Sequence, residues 1–438
     1  MGNADASLAE LNIFYARFEA AAKHASGTNS MHAERAGEVN TFTISEHDVR
    51  RAFKSEYQEG SRTRWHRSPP LFQPNCINYR PVALTLVVIK CFERLVRDFI
   101  TASLPDTLDP LQFVYRQNRS TEDAIAHLLH TTMSHLDYRK GNYTKLLFVN
   151  YSSVFNTIIP STLTSKLKVL GLSLPLCQWI SNFLTDRPQA VRVGKHTSST
   201  LTLSTEAPQG CVLSPLLYSL YTYECVATSN STTIKFADDI VVVGPISNND
   251  EMAYLQEFKN LERWCQENNL LLNVSKTKEL IMDLSTKQGR SYQPLNINGT
   301  PVERVDSFRY LGVKITQGLS WSCQTNTLVK KAWQRLYHLR RLMDSKLPSQ
   351  MLKTFYNCTI ESVLTGSITS WSREQHHVGQ CRTKARKIVK DLSHPNNGLF
   401  TLLHSGKRFR SLKANTRRMR RSFFPQAIRS LNQETPRI

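Results

Sequence analysis

KFADDIVVVG, residues 235–244, is the stretch that decides the fold. One apolar strand reaches two adjacent aspartates, Asp238 and Asp239, and a second apolar strand leaves them. The pattern reads as a β-hairpin with carboxylates at its turn. Adjacent acids in apolar surroundings repel each other, and burial raises their pKa. A divalent cation removes that cost, because Mg²⁺ takes oxygen ligands and keeps positions free for phosphates. A plain Asp-rich turn shares the local pattern, so the neighbouring sequence has to separate the two.

LLFVNYSSVFNTI, residues 146–158, is the next neighbour. An apolar strand over 145–150 ends at Asn150, followed by a small polar turn and Phe155. The stretch is built to deliver a side chain from a strand end, and that side chain is an amide. Further strands are expected over 233–236, 240–243, 278–283 and 308–315, and a hairpin pairing 190–194 with 200–204. Helices are expected over 86–99, 121–136, 161–170, 175–184, 250–269 and 321–364. Ser214-Pro215 reads as a capping residue followed by a proline at the first helical position, for a helix through Tyr223. Residues 1–23 and 44–53 read as helices, 24–42 as a linker and 54–76 as irregular chain.

The chain has 438 residues, with 56 Lys and Arg against 35 Asp and Glu, a formal charge of +21. That excess points to a polyanionic partner, nucleic acid before an anionic membrane surface. The longest apolar runs are far shorter than the roughly 20 residues a membrane span needs. The N-terminal sequence MGNADASLAE lacks a signal core, and Ala6 breaks the myristoylation pattern. Nine cysteines, with no CxxC, support neither a disulfide framework nor a zinc knuckle. They fit a reducing intracellular compartment, with nucleus and cytoplasm both open. His377 and Cys381 have ligand-like spacing but no second pair. From Arg373 onward Lys and Arg dominate, and TRRMRR at 416–421 suits a phosphate-binding face.

The order of motifs resembles the reverse transcriptase of non-LTR (LINE-like) retrotransposons. NYRPVAL at 78–84 looks like its fingers motif, and QFVYRQNRST at 112–121 like its QxGFRxxRST motif. LLFVNYSSVFN, APQGCVLSPLLY at 207–218 and FADD at 236–239 resemble the first three palm motifs. LLNVSKTKEL at 271–280 resembles the fourth, and RYLGVKI at 309–315 the primer grip. The resemblance implies an α+β right-hand polymerase of fingers, palm and thumb, with an antiparallel palm sheet packed on helices. It implies RNA-directed DNA synthesis with dNTPs, an RNA template, a DNA primer and two Mg²⁺ ions. Residues 1–60 would be a helical linker-like region, 61–315 fingers and palm, 316–372 a shortened helical thumb, and 373–438 a basic helical tail.

The same resemblance assigns roles. Asp238 would bind metal, with Asp239 in support. Arg80 would contact the triphosphate, and Phe155 would exclude a 2′-hydroxyl. Gln209 and Gly210 would lie against the nascent base pair. Lys276 would protonate or neutralise the pyrophosphate. Arg116 and Arg119 would hold template or triphosphate, and Tyr310 and Gly312 the primer. The departure is Asn150, where the family carries the first metal-binding aspartate. Weakened Mg²⁺ binding and impaired activity are expected from it. The alternative is a non-enzymatic RNA- or DNA-binding protein derived from a retrotransposon. The stretch from Phe53 to Asn78 is too short for the family's full fingers segment, no lysine lies between Ser55 and Arg80, and no endonuclease domain is expected upstream. A degenerate or internally spliced copy would carry these marks.

Overall fold

β1 (Tyr143–Val149) is buried at every residue, Thr144 and Lys145 included, because it is the centre of a five-stranded sheet. The computed structural model describes residues 45, 47, 48, 50, 51, 83, 86–105, 108–152, 154–193, 195–205, 207–285, 290–345, 347–366 and 378–434. The helix expected over 1–23, the linker, the irregular stretch over 54–76, most of 44–53 and Arg80 lie outside them.

In chain order the helices are α1 (Val87–Ser103), α2 (Thr121–Tyr138), α3 (Pro160–Val169), α4 (Leu174–Leu184), α5 (Ser214–Tyr221) and α6 (Met252–Glu267). They continue as α7 (Ser322–Asp344), α8 (Ser349–Phe355), α9 (Ser362–Thr365), α10 (Val378–Lys390), α11 (Arg417–Arg420) and α12 (Phe423–Glu434). After β1 come β2 (Arg187–Gln189), β3 (Arg192–Val193), β4 (His196–Thr197), β5 (Leu201–Leu203), β6 (Thr232–Phe236), β7 (Asp239–Ile246) and β8 (Lys278–Asp283). The last strands are β9 (Asn296–Ile297), β10 (Thr300–Pro301), β11 (Glu303–Arg304), β12 (Ser307–Tyr310) and β13 (Val313–Thr316).

The chain divides into two units. One comprises Met1–Asp109, Tyr151–Cys225 and Arg263–Leu271. Among its described residues α3 packs on α4 and α5, burying Leu163, Leu167, Cys177, Ile180, Leu217 and Tyr221. The expected hairpin over 190–204 is corrected here. β2 pairs with β5 and β3 with β4, so two nested pairings replace one. Helix α5 is capped at Leu213, and Ser214 lies inside it, its hydroxyl donating to the Pro208 carbonyl at 2.6 Å. The serine was therefore misplaced by one residue as a cap.

The other unit comprises Pro110–Asn150, Val226–Glu262 and Leu272–Ile438. Its sheet runs β11-β8-β1-β7-β6 and is antiparallel except for the short β11–β8 edge. Helix α2, with Glu122 and Asp123 in its first turn, lies across β1, β6 and β7. Ile125, Leu128, Leu146, Phe148, Val241 and Leu280 share one core with the β12–β13 hairpin. The single strand expected over 308–315 is instead this hairpin, turned at Leu311 and Gly312. Both turn residues have positive φ, 46° and 87°, as a two-residue hairpin of the primed type demands. Phe148 stacks on Phe308 with centroids 4.1 Å apart.

The basic C-terminal region folds back onto α2. Ala385 and Ile388 of α10, Phe400, and Phe423, Phe424, Ala427 and Ile428 of α12 form a second core with Ala126. Lys384 binds Glu122 and Asp123, each at 3.1 Å, and His394 Nε2 lies 3.5 Å from Asp123. His127 meets Asn396, and the edge of His130 meets Phe424. Burial, which would raise the Asp123 carboxyl, is outweighed by His394, Lys384 and Ser120, which hold it down at about 2. Burial, then the neighbouring His127, lowers His130 to about 4. Unfolded, that imidazole titrates near 6.5. The folded chain therefore binds fewer protons between those values, and stability falls as pH drops from about 6.5 towards 4. The expected loss is roughly 2–3 kcal/mol. Urea unfolding at pH 7.5, 6 and 5 checks it, and His130→Leu should flatten much of the dependence.

Candidate active site

The β6–β7 hairpin closes on the pair Phe236–Asp239, leaving Ala237 and Asp238 in the turn. Ala237 has φ 55°. Primed turns need a left-handed first residue because only they match the twist of the strands. Glycine adopts that conformation freely, whereas for alanine it costs roughly 1 kcal/mol. The turn carries Asp238 half-buried at its tip, with Asp239 exposed as the first residue of β7. Desolvation, and then the charge of Asp238, pushes the Asp239 carboxyl above the usual carboxylate range.

Asn150 follows the last residue of β1. Its N–H donates to Thr277 Oγ1 at 3.2 Å, and its carbonyl accepts from the Asn273 N–H at 2.8 Å. The β1–β7 register ends at the pair Val149–Ile240, so one step further sets Asn150 across from Asp239. Asn273 Oδ1 in turn accepts from Ser275 Oγ at 2.8 Å and from the Lys276 N–H at 3.1 Å. The turn bearing Lys276 is thus fastened to Asn150, while Lys276 itself is exposed.

The segment before α2 joins this end of the sheet through its backbone. Phe113 N–H donates to the Lys235 carbonyl and Lys235 N–H to the Leu111 carbonyl, both at 2.9 Å. That pairing carries Tyr115, 47 % exposed and at φ 57°, towards the carboxylates. Burial of its ring, then the charge of Asp238, raises the Tyr115 phenol. Arg116 is half-buried beside it. Arg119 leads elsewhere: its Nη2 donates to the Ser393 carbonyl at 2.5 Å, tying it to the C-terminal region. Tyr310 is buried in the core, its phenol raised by burial and then by Asp239. Gly312 supplies the second left-handed residue of the β12–β13 turn.

The remaining expected residues belong to the other unit. Phe155 lies in a 3₁₀ turn, Val154–Thr157, its ring 5.7 Å from that of Tyr218 and its carbonyl accepting from the Ala207 N–H at 2.8 Å. Gln209 and Gly210 form the adjoining turn, with Gly210 at φ 97°. The Gln209 carbonyl accepts from the Ala83 N–H at 2.6 Å. Glu93, fully buried, accepts from the N–H groups of Val212 and Leu213 at 2.5 and 3.0 Å and so fixes the loop leading into α5. Sequence reading missed Glu93 and Tyr115. Glu93 had a signal, an acid at helical spacing from Val96 and Ile100 on the buried stripe of α1. Tyr115 stands inside the QFVYRQNRST motif beside Arg116, but its positive φ leaves no mark on composition.

No group of three or more His, Cys, Asp and Glu that could hold a metal ion occurs among the described residues. Asp238 and Asp239 are consecutive, and the third oxygen at these strand ends belongs to a neutral amide. A pair of dications calls for more anionic oxygen than that. The donor set does not fit a two-ion centre.

Residues 70–315 match the family model described as reverse transcriptase (RNA-dependent DNA polymerase). Residues 321–362 match a second, described as alkylated DNA repair protein alkB homolog 8, N-terminal. The chain is 27% identical over 281 residues to the probable RNA-directed DNA polymerase from transposon BS of Drosophila melanogaster, covering 61% of this chain and 31% of that protein. It is 25% identical over 332 residues to the RNA-directed DNA polymerase from mobile element jockey of Drosophila funebris, covering 72% and 36%. It thus spans about a third of the length of the curated relatives it matches. Among solved structures, telomerase from Candida tropicalis with a TWJ fragment of telomeric RNA aligns at 12% identity and TM-score 0.36, over 70% of this chain and 52% of that one. The Candida albicans counterpart aligns at 14% identity and TM-score 0.36, over 69% and 57%. Similarity at that level carries no argument about this chain. The family match spans more than half of the chain and contains both the carboxylate hairpin and the strand end at Asn150, and the chain belongs to the reverse transcriptase family, as a LINE-like member.

Proposed function

We propose that this chain is a LINE-like reverse-transcriptase relic in which RNA-directed DNA synthesis is severely impaired or absent, while binding of nucleic acid persists. The observation that carries the reading is Asn150 at the end of β1, one register step beyond the Val149–Ile240 pair and across from Asp239. The family uses divalent metal ions at its palm, and this donor set supplies two consecutive carboxylates and an amide. The fingers and palm would occupy 61–315, a shortened thumb 316–372 and the basic tail 373–438. Asp238, Asp239 and Asn150 would be what remains of the Mg²⁺ site. Lys276 would face the pyrophosphate, with Arg80, Phe155, Gln209 and Gly210 on the dNTP. Arg116 would contact the RNA template, and Tyr310 and Gly312 the DNA primer. Arg119 fits a template role less well, because its guanidinium already holds the Ser393 carbonyl.

Incorporation of dNTPs on a primed RNA template in Mg²⁺ tests the reading. The wild type is expected to match Asp238→Ala, which serves as the blank. Wild-type incorporation clearly above that blank would show that the amide is an adequate ligand and would overturn the proposal.

A further inference from the structure

Helix α7 has 23 residues, yet it buries only two of them, Gln324 and Ala332. Its neighbours α8 and α9 bury none. Helices in proteins draw most of their stability from packing one apolar face. On α7 such a face lies open: Val329, Trp333 and Tyr337, four residues apart, are all exposed, Trp333 by 62 %.

The same row leads on through Arg341 to Ser345. Both line a cavity of about 640 Å³, together with His338, Leu342, Asp344 and Phe355. Leu342 and Phe355 are half-buried and give it an apolar wall. Phe355 is also the last residue of α8 before a π-helical stretch, Tyr356–Glu361. Arg335 Nη1 holds that stretch by donating to the Thr359 carbonyl. Such geometry is rare and concentrates at functional sites. The row and the cavity form one continuous surface, about 24 Å from Val329 to Ser345. Its charge is one-sided: α7 carries Lys330, Lys331, Arg335, Arg340 and Arg341 against one acid, Asp344. Lys330 and Arg340 are exposed, one on each side of the apolar row.

We propose that α7 and this cavity are the docking surface for an acidic amphipathic helix of a partner protein. The partner's apolar stripe lies along Val329, Trp333 and Tyr337, and one apolar side chain enters the cavity. Its carboxylates meet Lys330 and Arg340. A second copy of α7 is a poorer occupant, because antiparallel pairing about Arg335 sets Lys330 against Arg340. A nucleic-acid strand also fits less well. Asp344 stands at the cavity and repels phosphate. The Tyr337 ring, a stacking platform for a base, is already engaged by Arg341, 5.9 Å from its centroid, and by the edge of His338 at 5.7 Å. The inference stands apart from the polymerase reading, since it needs no chemistry at Asn150.

The test is fluorescence anisotropy of labelled synthetic peptides with the full chain. The probe is a helix of about 18 residues, enough to span the surface, with one leucine stripe flanked by glutamates. A scrambled peptide of the same composition is the control. The probe is expected to bind and the control not to bind. Trp333→Ala/Tyr337→Ala should weaken the probe roughly thirty-fold or more. Lys330→Glu/Arg340→Glu should weaken it about ten-fold. Exchanging the probe's glutamates for lysines should restore binding to that charge-reversed variant and not to the wild type, which a folding defect would not allow. Asp238→Ala should bind the probe as the wild type does, keeping this outcome separate from the fate of the active-site reading. Equal binding of probe and control, absence of binding, or an affinity unchanged in both double variants overturns the proposal. So does a loss in Trp333→Ala/Tyr337→Ala confined to a labelled mixed-sequence RNA, which would assign the surface to nucleic acid.

Discussion

Asn150→Asp is expected to raise dNTP incorporation on a primed RNA template by roughly three orders of magnitude or more over the wild type. A carboxylate at that strand end adds a full negative charge across from Asp239, on a backbone already fixed by Thr277 and Asn273. Several kcal/mol of charge stabilisation correspond to that many decades of rate. The same substitution should show itself without any turnover. In EDTA a third carboxylate repels Asp238 and Asp239, so the variant should melt below the wild type, and Mg²⁺ should raise its midpoint more than that of the wild type. Restored melting behaviour without incorporation would place a further defect outside the carboxylate hairpin.

Lys145→Ala is expected to cost about 3–5 kcal/mol of stability. Lys145 is fully buried on β1, its Nζ 2.8 Å from Glu251 and 3.5 Å from Glu279. Tyr143 donates to Glu251 at 2.5 Å, Tyr254 to Glu279 at 3.2 Å, and Arg304 Nε to Glu279 at 2.9 Å. Removing the ammonium leaves two buried carboxylates with too little positive charge. Urea unfolding measures the loss. Lys145→Met combined with Glu251→Gln and Glu279→Gln should recover much of it, because a neutral core no longer holds unpaired charge. Gly244 belongs to the same arrangement: a Cβ there would lie 2.2 Å from the Tyr254 ring.

Periodicity made one strand of the sheet and several helices legible. β8 was read to the residue, and α2, α3 and α4 to within two, because each has one apolar stripe or run facing one core. The β12–β13 turn was missed because Leu311 adopts a positive φ that leucine rarely shows, and only Gly312 hinted at it. The β2–β5 region was misread because short half-exposed strands have little burial to fix their register. Within the candidate site, the motif residues could be named from sequence, yet the bond from Arg119 to Ser393 could not. Those residues are 274 positions apart, and nothing local couples them.

Strand order in the sheet also has a consequence for biosynthesis. β1 lies between β7 and β8, and Tyr143 pairs with Ile246 and Asp283. Both neighbours of this apolar strand are thus translated long after it. At the usual 5–20 residues per second, roughly 5–20 s pass before β7 has even been synthesised. Throughout that interval β1 offers two unpaired edges to any other nascent chain, and contacts so distant in sequence form slowly. Recovery of soluble protein should therefore depend on holding chaperones during translation more than on the final stability of the folded sheet.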